Sequence, residues 1–384
     1  MQKIKVGIIG TGFIGPVHID ALRRLGFVEV AAIADINEEV AKQKAEQLNV
    51  PQYYGDYHDL LRNKEIQAVH ICTPNYLHFQ ICKDALSAGK HIVCEKPLAI
   101  NIKEAEELVC LADEKELVNA VHFNLRFYPL IHEARAMVEK GELGRIVAIN
   151  GSYQQDWLLY ETDYSWRLQP ELSGESRAVA DIGSHWCDMI EYISGSKITE
   201  ICSDFAIFYP VRKKPKKAIE TYSGKLLSEK DYDDICISTE DYASVLLRFD
   251  NNAHGTLTVN QMAAGRKNRL FFEIYGTKKS IAWNSEKPNE MWIGKRDGNN
   301  EVLIKDPSLM SPYASDIACF PGGHNEGFPD TSKQMFKKVY NYIINNGLKN
   351  GQEPDFPTFK SGLRELEICE RMIQSSKDRK WLAV

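Results

Sequence analysis

The 384-residue chain is too long for one ordinary core and suits two domains. Its 43% hydrophobic and 26% charged residues give it the apolar content to fold, while a net charge of -6 argues against a nucleic-acid partner. No apolar run approaches the ~18 residues that cross a bilayer, and no signal-peptide pattern follows Met1-Gln2-Lys3, so neither membrane insertion nor export is expected. Nine cysteines, an odd number without a C-x-x-C pair, suit a reducing cytoplasm better than a disulfide framework or a structural zinc.

Lys3 to Ile9 reads as a short buried strand. It runs into Gly10-Thr11-Gly12-Phe13-Ile14-Gly15 and then a helix with apolar positions Val17, Ala21, Leu22 and Leu25. A lone G-x-G-x-x-G is weak evidence, but here the strand before it and the helix after it complete a dinucleotide-binding fingerprint. Gly10 permits the tight turn, Gly12 lets the backbone approach a pyrophosphate, and Gly15 allows the helix to pack on the strand. The first N–H groups of that helix, at Phe13 and Ile14, then serve the phosphates. A second strand, Val28 to Ala34, ends in Asp35, about twenty residues past the last glycine. A carboxylate there accepts from the ribose hydroxyls and repels a 2′-phosphate, so NAD is expected over NADP. The rival reading makes Asp35 a cap for the helix that starts near Glu38.

The alternation continues with a helix over Glu38–Leu48 and strands at Gln52–Tyr54 and Ala68–Cys72. It goes on through a helix at His78–Ala88, a strand at His91–Glu95, a helix at Ile102–Lys115 and a strand at Leu117–Val121. Strands alternating with helices of this length mean a doubly wound parallel sheet, with ligands beyond the carboxyl ends of its strands. That singles out Thr73-Pro74-Asn75, Glu95-Lys96-Pro97 and His122-Phe123-Asn124. After Pro129 a linking helix gives way to apolar–polar alternation at Val147–Tyr153, Ile201–Tyr209, Tyr242–Phe249, Gly255–Gln261, Leu270–Tyr275, Lys279–Trp283 and Met291–Gly294, a large antiparallel sheet. A last helix is expected over Ser361–Ser375. The basic stretch from Arg212 to Lys217 reads as a solvated hairpin loop, balanced by Glu229, Asp231, Asp233 and Asp234.

Five segments, GIIGTGFIG, CTPNYLH, HIVCEKPLA, HFNLRFYP and ADIGSHWCDM, stand in that order along the chain. With them the sequence resembles the glucose–fructose oxidoreductase, inositol dehydrogenase and rhizopine-catabolism family (Gfo/Idh/MocA) over essentially its whole length. The resemblance implies that Lys96 lies beside the nicotinamide and contacts the reacting hydroxyl, that Glu95 binds the nicotinamide ribose, and that Pro97 sets the turn, often through a cis bond. It implies that Thr73, Pro74, Asn75 and His78 line the cofactor cleft, that Asn124 lies near the nicotinamide amide, and that Asp181 and His185 form the family's D-x-x-x-H pair. Trp166-Arg167 resembles the segment that reaches back toward cofactor and substrate. The residues themselves agree: Asp181 and His185, at i and i+4, share one face if the segment is helical. An imidazole near its ordinary pKa can take an alcohol proton, and a nearby carboxylate steadies the imidazolium.

The expected fold is therefore α/β plus α+β. A Rossmann doubly wound parallel sheet occupies 1–126, and a substrate-binding and oligomerisation domain occupies 127–384, its large, mostly antiparallel sheet carrying helices on one face. The expected function is hydride transfer between NAD and a secondary alcohol of a sugar, glycoside or cyclitol, in a homodimer or homotetramer formed through the C-terminal sheet. Rivals are an NAD-dependent glycosidase of the same fold and an inactive NAD-binding regulator. Trp157, Tyr160, Tyr164 and Trp166 offer aromatic faces to a sugar ring or pack in the core. The loop from Phe320 to Asp330, with His324, Glu326 and Asp330, is of a kind that the resemblance links to sugar and cyclitol substrates. His324 is its substrate-binding candidate, and no metal is expected.

Overall fold

The structure, a computed structural model, describes residues 3–216 and 229–384. The chain forms two compact units, Met1–Phe127 with Phe328–Leu366, and Tyr128–Gly327 with Glu367–Val384. Where the sequence suggests a single crossing near residue 126, the chain crosses three times.

In the first unit six strands, β1 (Ile4–Ile9), β2 (Val28–Ala34), β3 (Gln52–Tyr54), β4 (Ala68–Ile71), β5 (His91–Cys94) and β6 (Asn119–Val121), form one sheet in the order β3-β2-β1-β4-β5-β6. Every pairing is parallel. Strands covered on both faces are mostly apolar, and β1 and β4 are almost wholly buried, with His70 the polar side chain inside β4. Helices α1 (Ile14–Arg23), α2 (Glu38–Leu48), α3 (Tyr57–Arg62), α4 (His78–Ser87) and α5 (Ile102–Glu114) connect them. Asn37, Asp56 and Asn101 cap α2, α3 and α5 by accepting backbone N–H groups. The strand order reverses between β1 and β4, and that switch point is where such sheets bind ligands.

The second unit holds a nine-stranded sheet. After α6 (Pro129–Glu139) come β7 (Ile146–Gln154), α7 (Pro170–Ser173), α8 (Ser184–Ser194) and β8 (Ile198–Ala206), then β9 (Val211–Pro215), β10 (Tyr232–Cys236), β11 (Tyr242–Phe249), β12 (His254–Asn260) and β13 (Arg269–Gly276). The unit continues with β14 (Lys279–Asn284), β15 (Glu290–Lys295), β16 (Glu301–Ile304) and α9 (Pro312–Ser315), and β17 (Leu382–Ala383) closes it. The sheet order is β16-β15-β14-β13-β7-β12-β11-β8-β17, antiparallel except for β7 beside β12. Alternating burial along β11, β12 and β13 gives the sheet one covered face, as its apolar–polar pattern requires. On that face Trp186 of α8 lies over Gly151 of β7, where a Cβ would come 2.3 Å from the indole nitrogen, and that nitrogen donates to the Phe271 carbonyl at 3.0 Å.

The basic stretch is not a loop. Residues 212–215 belong to β9, paired antiparallel with β10, while Lys217 lies outside the described residues. Lys213 meets Asp234 at 2.6 Å, so the acidic balance is local, and Arg212 turns inward, wholly buried, to Asp241 at 2.7 Å.

Two helices follow, α10 (Phe328–Ile344) and α11 (Phe359–Asp378). The first returns to the first unit, where Met335, Phe336, Val339 and Tyr340 enter one core cluster with Ile8, Val30, Val93 and Phe127. Among the described residues no helix is long and apolar enough to cross a membrane.

Candidate functional site

The glycine turn closes β1 onto β4. Gly10 has φ +91°, and a Cβ on it would come within 2.8 Å of the Cys72 backbone. A Cβ on Gly15 would lie 2.4 Å from the Gly10 carbonyl oxygen, whereas one on Gly12 would meet nothing within 4 Å. The first and last glycines are thus packed from within, and the middle one faces open space, as a turn that admits a phosphate must. Phe13 and Ile14 open α1, and no side chain caps its N-terminus, in contrast to α2, α3 and α5. An uncapped helix start offers backbone N–H groups and a positive dipole end to an anion.

Asp35 leaves the end of β2. Its Oδ2 accepts the Thr11 N–H at 2.9 Å and the Thr11 hydroxyl, and its Oδ1 accepts the Ile36 N–H at 2.7 Å. It is not the cap of α2, because Asn37 has that place. Beyond β4, the buried Thr73 hydroxyl has no protein partner among the described residues. Pro74 and Asn75 begin the turn into α4. An open Gly12, an uncapped α1, a fixed carboxylate and a spare hydroxyl around one switch point fit a dinucleotide.

His78 spans two of the expected loops. Its Nδ1 lies 2.7 Å from the Pro97 carbonyl oxygen and its Nε2 lies 2.9 Å from that of Thr73. Burial lowers its pKa, more than the two carbonyls raise it. The Lys96–Pro97 peptide is cis, and Lys96 is half-buried. Glu95 turns inward, one oxygen meeting His122 Nδ1 at 2.6 Å and His18 Nε2 at 2.9 Å, the other meeting the Lys96 N–H at 3.2 Å. Asn124, also buried, donates to Thr331 Oγ1 at 2.7 Å on α10.

In the second unit, a π-helical turn over Val179–Gly183 precedes α8. Asp181 lies in that turn and His185 at the start of α8, so the simple i, i+4 spacing of one α-helix does not describe them. The buried Glu240 carboxylate anchors the turn by accepting the N–H groups of Val179 at 2.9 Å and Arg177 at 3.1 Å. Asp241 beside it binds the buried Arg177 and Arg212 side chains. Asp181 meets Gln261 Nε2 at 2.9 Å and Arg167 Nε at 3.3 Å, so Arg167, expected at the cofactor, also supports this carboxylate. His185 is buried, its ring 6.4 Å from that of Tyr153. Arg167 also lies over the Trp166 ring, 4.5 Å from its centre.

Trp157 and Tyr164 pack against a small cluster of Leu158, Leu168 and Ile237, while Tyr160 is exposed. In the glycine-rich loop the three polar candidates part company. Glu326 is buried and pairs with the equally buried Lys305 at 3.0 Å, whose ammonium also donates to the Phe320 and His324 carbonyls at 2.9 and 2.8 Å. Asp330 begins α10 and pairs with Arg24. His324 is exposed at the loop's surface. The sequence reading gave no role to Thr11, Gln261, Glu240, Lys305, His18, His70 or His122. Of these only Thr11 and His122 lie within the five segments, and no local motif marks the others.

Comparison with known proteins places these halves in context. Residues 4–123 match the model of an oxidoreductase family with an NAD-binding Rossmann fold, and residues 131–282 match the GFO/IDH/MocA C-terminal domain. The chain is 33% identical to levoglucosan dehydrogenase from Pseudarthrobacter phenanthrenivorans over 401 aligned residues, covering 100% of this chain and 99% of that protein. A solved levoglucosan dehydrogenase in complex with NADH and levoglucosan superposes with a TM-score of 0.87 at 27% identity, covering 100% and 99% of the two chains. An inositol dehydrogenase homolog from Azotobacter vinelandii, complexed with NAD+, also gives 0.87, at 25% identity, covering 100% and 98%.

Proposed function

The chain belongs to the Gfo/Idh/MocA family of NAD-binding oxidoreductases, and from that membership we propose that it transfers a hydride between NAD and a secondary alcohol of a sugar, glycoside or cyclitol. The observation that carries the reading is the glycine turn, open above Gly12 and fastened to Asp35. Gly10, Gly12, Phe13, Ile14 and Gly15 would hold the pyrophosphate, Asp35 the adenosine ribose, and Thr73, Pro74, Asn75, His78, Glu95, Asn124 and Arg167 the rest of the cofactor. When bound, NAD supplies the acceptor for the hydride that leaves the alcohol carbon.

His185 then takes the hydroxyl proton on an imidazole nitrogen, with Asp181 as its carboxylate partner. Lys96 donates a hydrogen bond to the alkoxide oxygen, whose charge is greatest near the transition state. The products are a ketone, NADH and a proton held by His185 until it passes to solvent. Trp157, Trp166 and His324 are the proposed substrate contacts of the second unit. An aromatic face suits the apolar side of a sugar ring, and the Lys305–Glu326 pair sets the backbone that carries His324.

Exposed Leu246, Trp292, Val302 and Ile304 on the nine-stranded sheet support a homodimer or homotetramer through that sheet. Nine free thiols support a reducing, cytoplasmic setting.

The test is NADH absorbance with purified protein against cyclitols, free hexoses, glycosides and anhydro sugars, beginning with levoglucosan. Net NADH production with a secondary alcohol of one class is expected. No NADH from any class, or aglycone release without net NADH, would overturn the reading.

A further inference from the structure

Three imidazoles from distant points of the chain meet inside the first unit without a part in the chemistry above. His18 of α1, His70 of β4 and His122 after β6 are wholly or almost wholly buried. The Phe336 ring lies 4.7 to 5.2 Å from each of theirs. His18 Nε2 and His122 Nδ1 approach the same oxygen of Glu95, at 2.9 and 2.6 Å. His18 Nδ1 lies 2.8 Å from His70 Nδ1, and His70 Nε2 lies 2.7 Å from the Tyr340 hydroxyl. On the other side His122 Nε2 lies 3.0 Å from the Ser332 hydroxyl.

The donors in this chain follow by elimination. An ionised carboxylate only accepts, so His18 donates from Nε2 and His122 from Nδ1. A neutral His18 must then accept at Nδ1, which makes His70 the donor there. A neutral His70 accepts at Nε2, which makes the Tyr340 hydroxyl the donor. Every group is satisfied with no clash of roles. The 3.3 Å approach of His18 Nε2 to His122 Nδ1 is donor beside donor, a by-product of both reaching one oxygen. Burial is what keeps His18 neutral, lowering its pKa to about 4, and burial also holds that of His70 well below the ordinary imidazole value. Burial alone would raise the Glu95 pKa, but His122 and His18 outweigh it and hold the carboxylate ionised.

Both ends of the chain are closed. Tyr340 and Ser332 are fully buried, so no proton leaves through them, and the arrangement serves to hold a group in place. We propose that His18 and His122 are positioning residues for the reaction: their converging N–H groups fix one oxygen of Glu95, so that its other oxygen and the Lys96 backbone it meets keep one orientation. This rests on the role given to Lys96 under Proposed function. The same three side-chain atoms lie close enough together to share a metal ion. Protonation separates the two: an ion needs bare nitrogens at His18 Nε2 and His122 Nδ1, whereas the clamp needs protons there.

The first measurement is nitrogen-15 NMR of the full chain, without cofactor, labelled in its histidine rings at neutral pH. The clamp predicts Nε2–H for His18, Nδ1–H for His70 and a protonated Nδ1 in His122. A bare nitrogen at either Glu95 contact, or stoichiometric zinc in the purified protein, overturns it. The second measurement is turnover. His18→Leu and His122→Leu should each lower kcat, on the order of 10²-fold as for a displaced reacting group, with less change in NAD affinity. His122→Asn, which places an amide N–H where Nδ1 was, and His18→Gln, which does so for Nε2, should recover most of the loss. Folded Leu variants with unchanged kcat would overturn the proposal. The NMR arm uses the unmodified chain and so stands even if a Leu variant does not fold. Near-normal turnover in Lys96→Met would sink the Lys96 reading and leave the tautomers intact. Wrong tautomers together with a Lys96→Met loss would sink the clamp alone.

Discussion

Thr11 donates twice to Asp35, from its backbone N–H at 2.9 Å and from its hydroxyl, and so ties the carboxylate at the end of β2 to the glycine turn at the end of β1. The carboxylate is held in place before any cofactor arrives, which lowers the ordering cost of binding. NAD should bind much more tightly than NADP, whose 2′-phosphate would meet a fixed negative charge. Asp35→Ala should narrow that gap, mainly by weakening NAD. Thr11→Val keeps the backbone donor and should weaken NAD by about 0.5–1.5 kcal/mol, the worth of one hydrogen bond. Calorimetry of both cofactors checks this, and equal affinities in the unmodified protein would refute it.

The three glycines of the turn should respond differently to substitution. Gly12→Val should abolish NAD binding with little change in thermal midpoint, since its Cβ enters open space. Gly15→Val should lower both, because its Cβ would sit 2.4 Å from the Gly10 carbonyl oxygen and the backbone must shift. Melting curves and NAD titrations of the two variants separate these outcomes. A destabilised Gly12→Val would mean the turn is packed where it is taken to be open.

His185→Ala should lower turnover by about 10² to 10⁴, the usual worth of a positioned general base, and flatten the acidic limb of the pH–rate profile. Lys96→Met, which keeps the stem and drops the ammonium, should act on kcat more than on NAD affinity. The double variant should lose less than the product of the two single losses if, as proposed, both groups serve one proton transfer. Raised KM with near-normal kcat in both single variants would remove these two residues from the chemistry.

Acid should destabilise the chain through His18 and His91. Burial, with smaller contributions from His122 and Lys349 respectively, lowers the pKa values of His18 and His91 from 6.5 to about 4. Between those values the folded chain binds fewer protons than the unfolded one, so stability is complete above about pH 6.5 and falls as pH drops toward 4. The slope is at most about 1.4 kcal/mol per pH unit for each imidazole. His91 Nδ1 accepts the Val118 N–H at 3.1 Å, and His91→Asn keeps an acceptor there while removing the titration. Urea midpoints across this range should fall less steeply in His91→Asn, and parallel curves would contradict the assignment.

Most of the first six strands were legible because covered strands are apolar runs and because glycine marks the turn between β1 and α1, whereas the exposed β3 was legible only from its place in the alternation. The sheet of the second unit was legible from its alternation. Helix α10 was not: its buried side includes Asp330, Thr331, Ser332 and Gln334, polar residues that hide a helical apolar stripe. Their burial makes sense only beside partners such as His122 and Asn124, 210 and 207 residues away from Ser332 and Thr331. The same distance hid the histidine cluster, since His18, His70 and His122 carry no shared local pattern. At Asp181 and His185 the residue types were legible but not their geometry, because a π-helical turn leaves no mark in the spacing. Strand β9 was misread because its charges look solvated, although Arg212 points inward.

The return of α10 to the first unit sets a timetable for biosynthesis. When His122 leaves the ribosome, the Ser332 hydroxyl it meets is still 210 residues from being made, and Tyr340, the partner of His70, comes later still. At roughly 5–20 residues per second that is a wait of about 10–40 s. Through that interval the nascent first unit carries imidazoles without their hydroxyl partners and an uncovered apolar patch awaiting Met335, Phe336 and Val339. The NAD-binding half is therefore the first part of the chain to be synthesised and among the last to be completed.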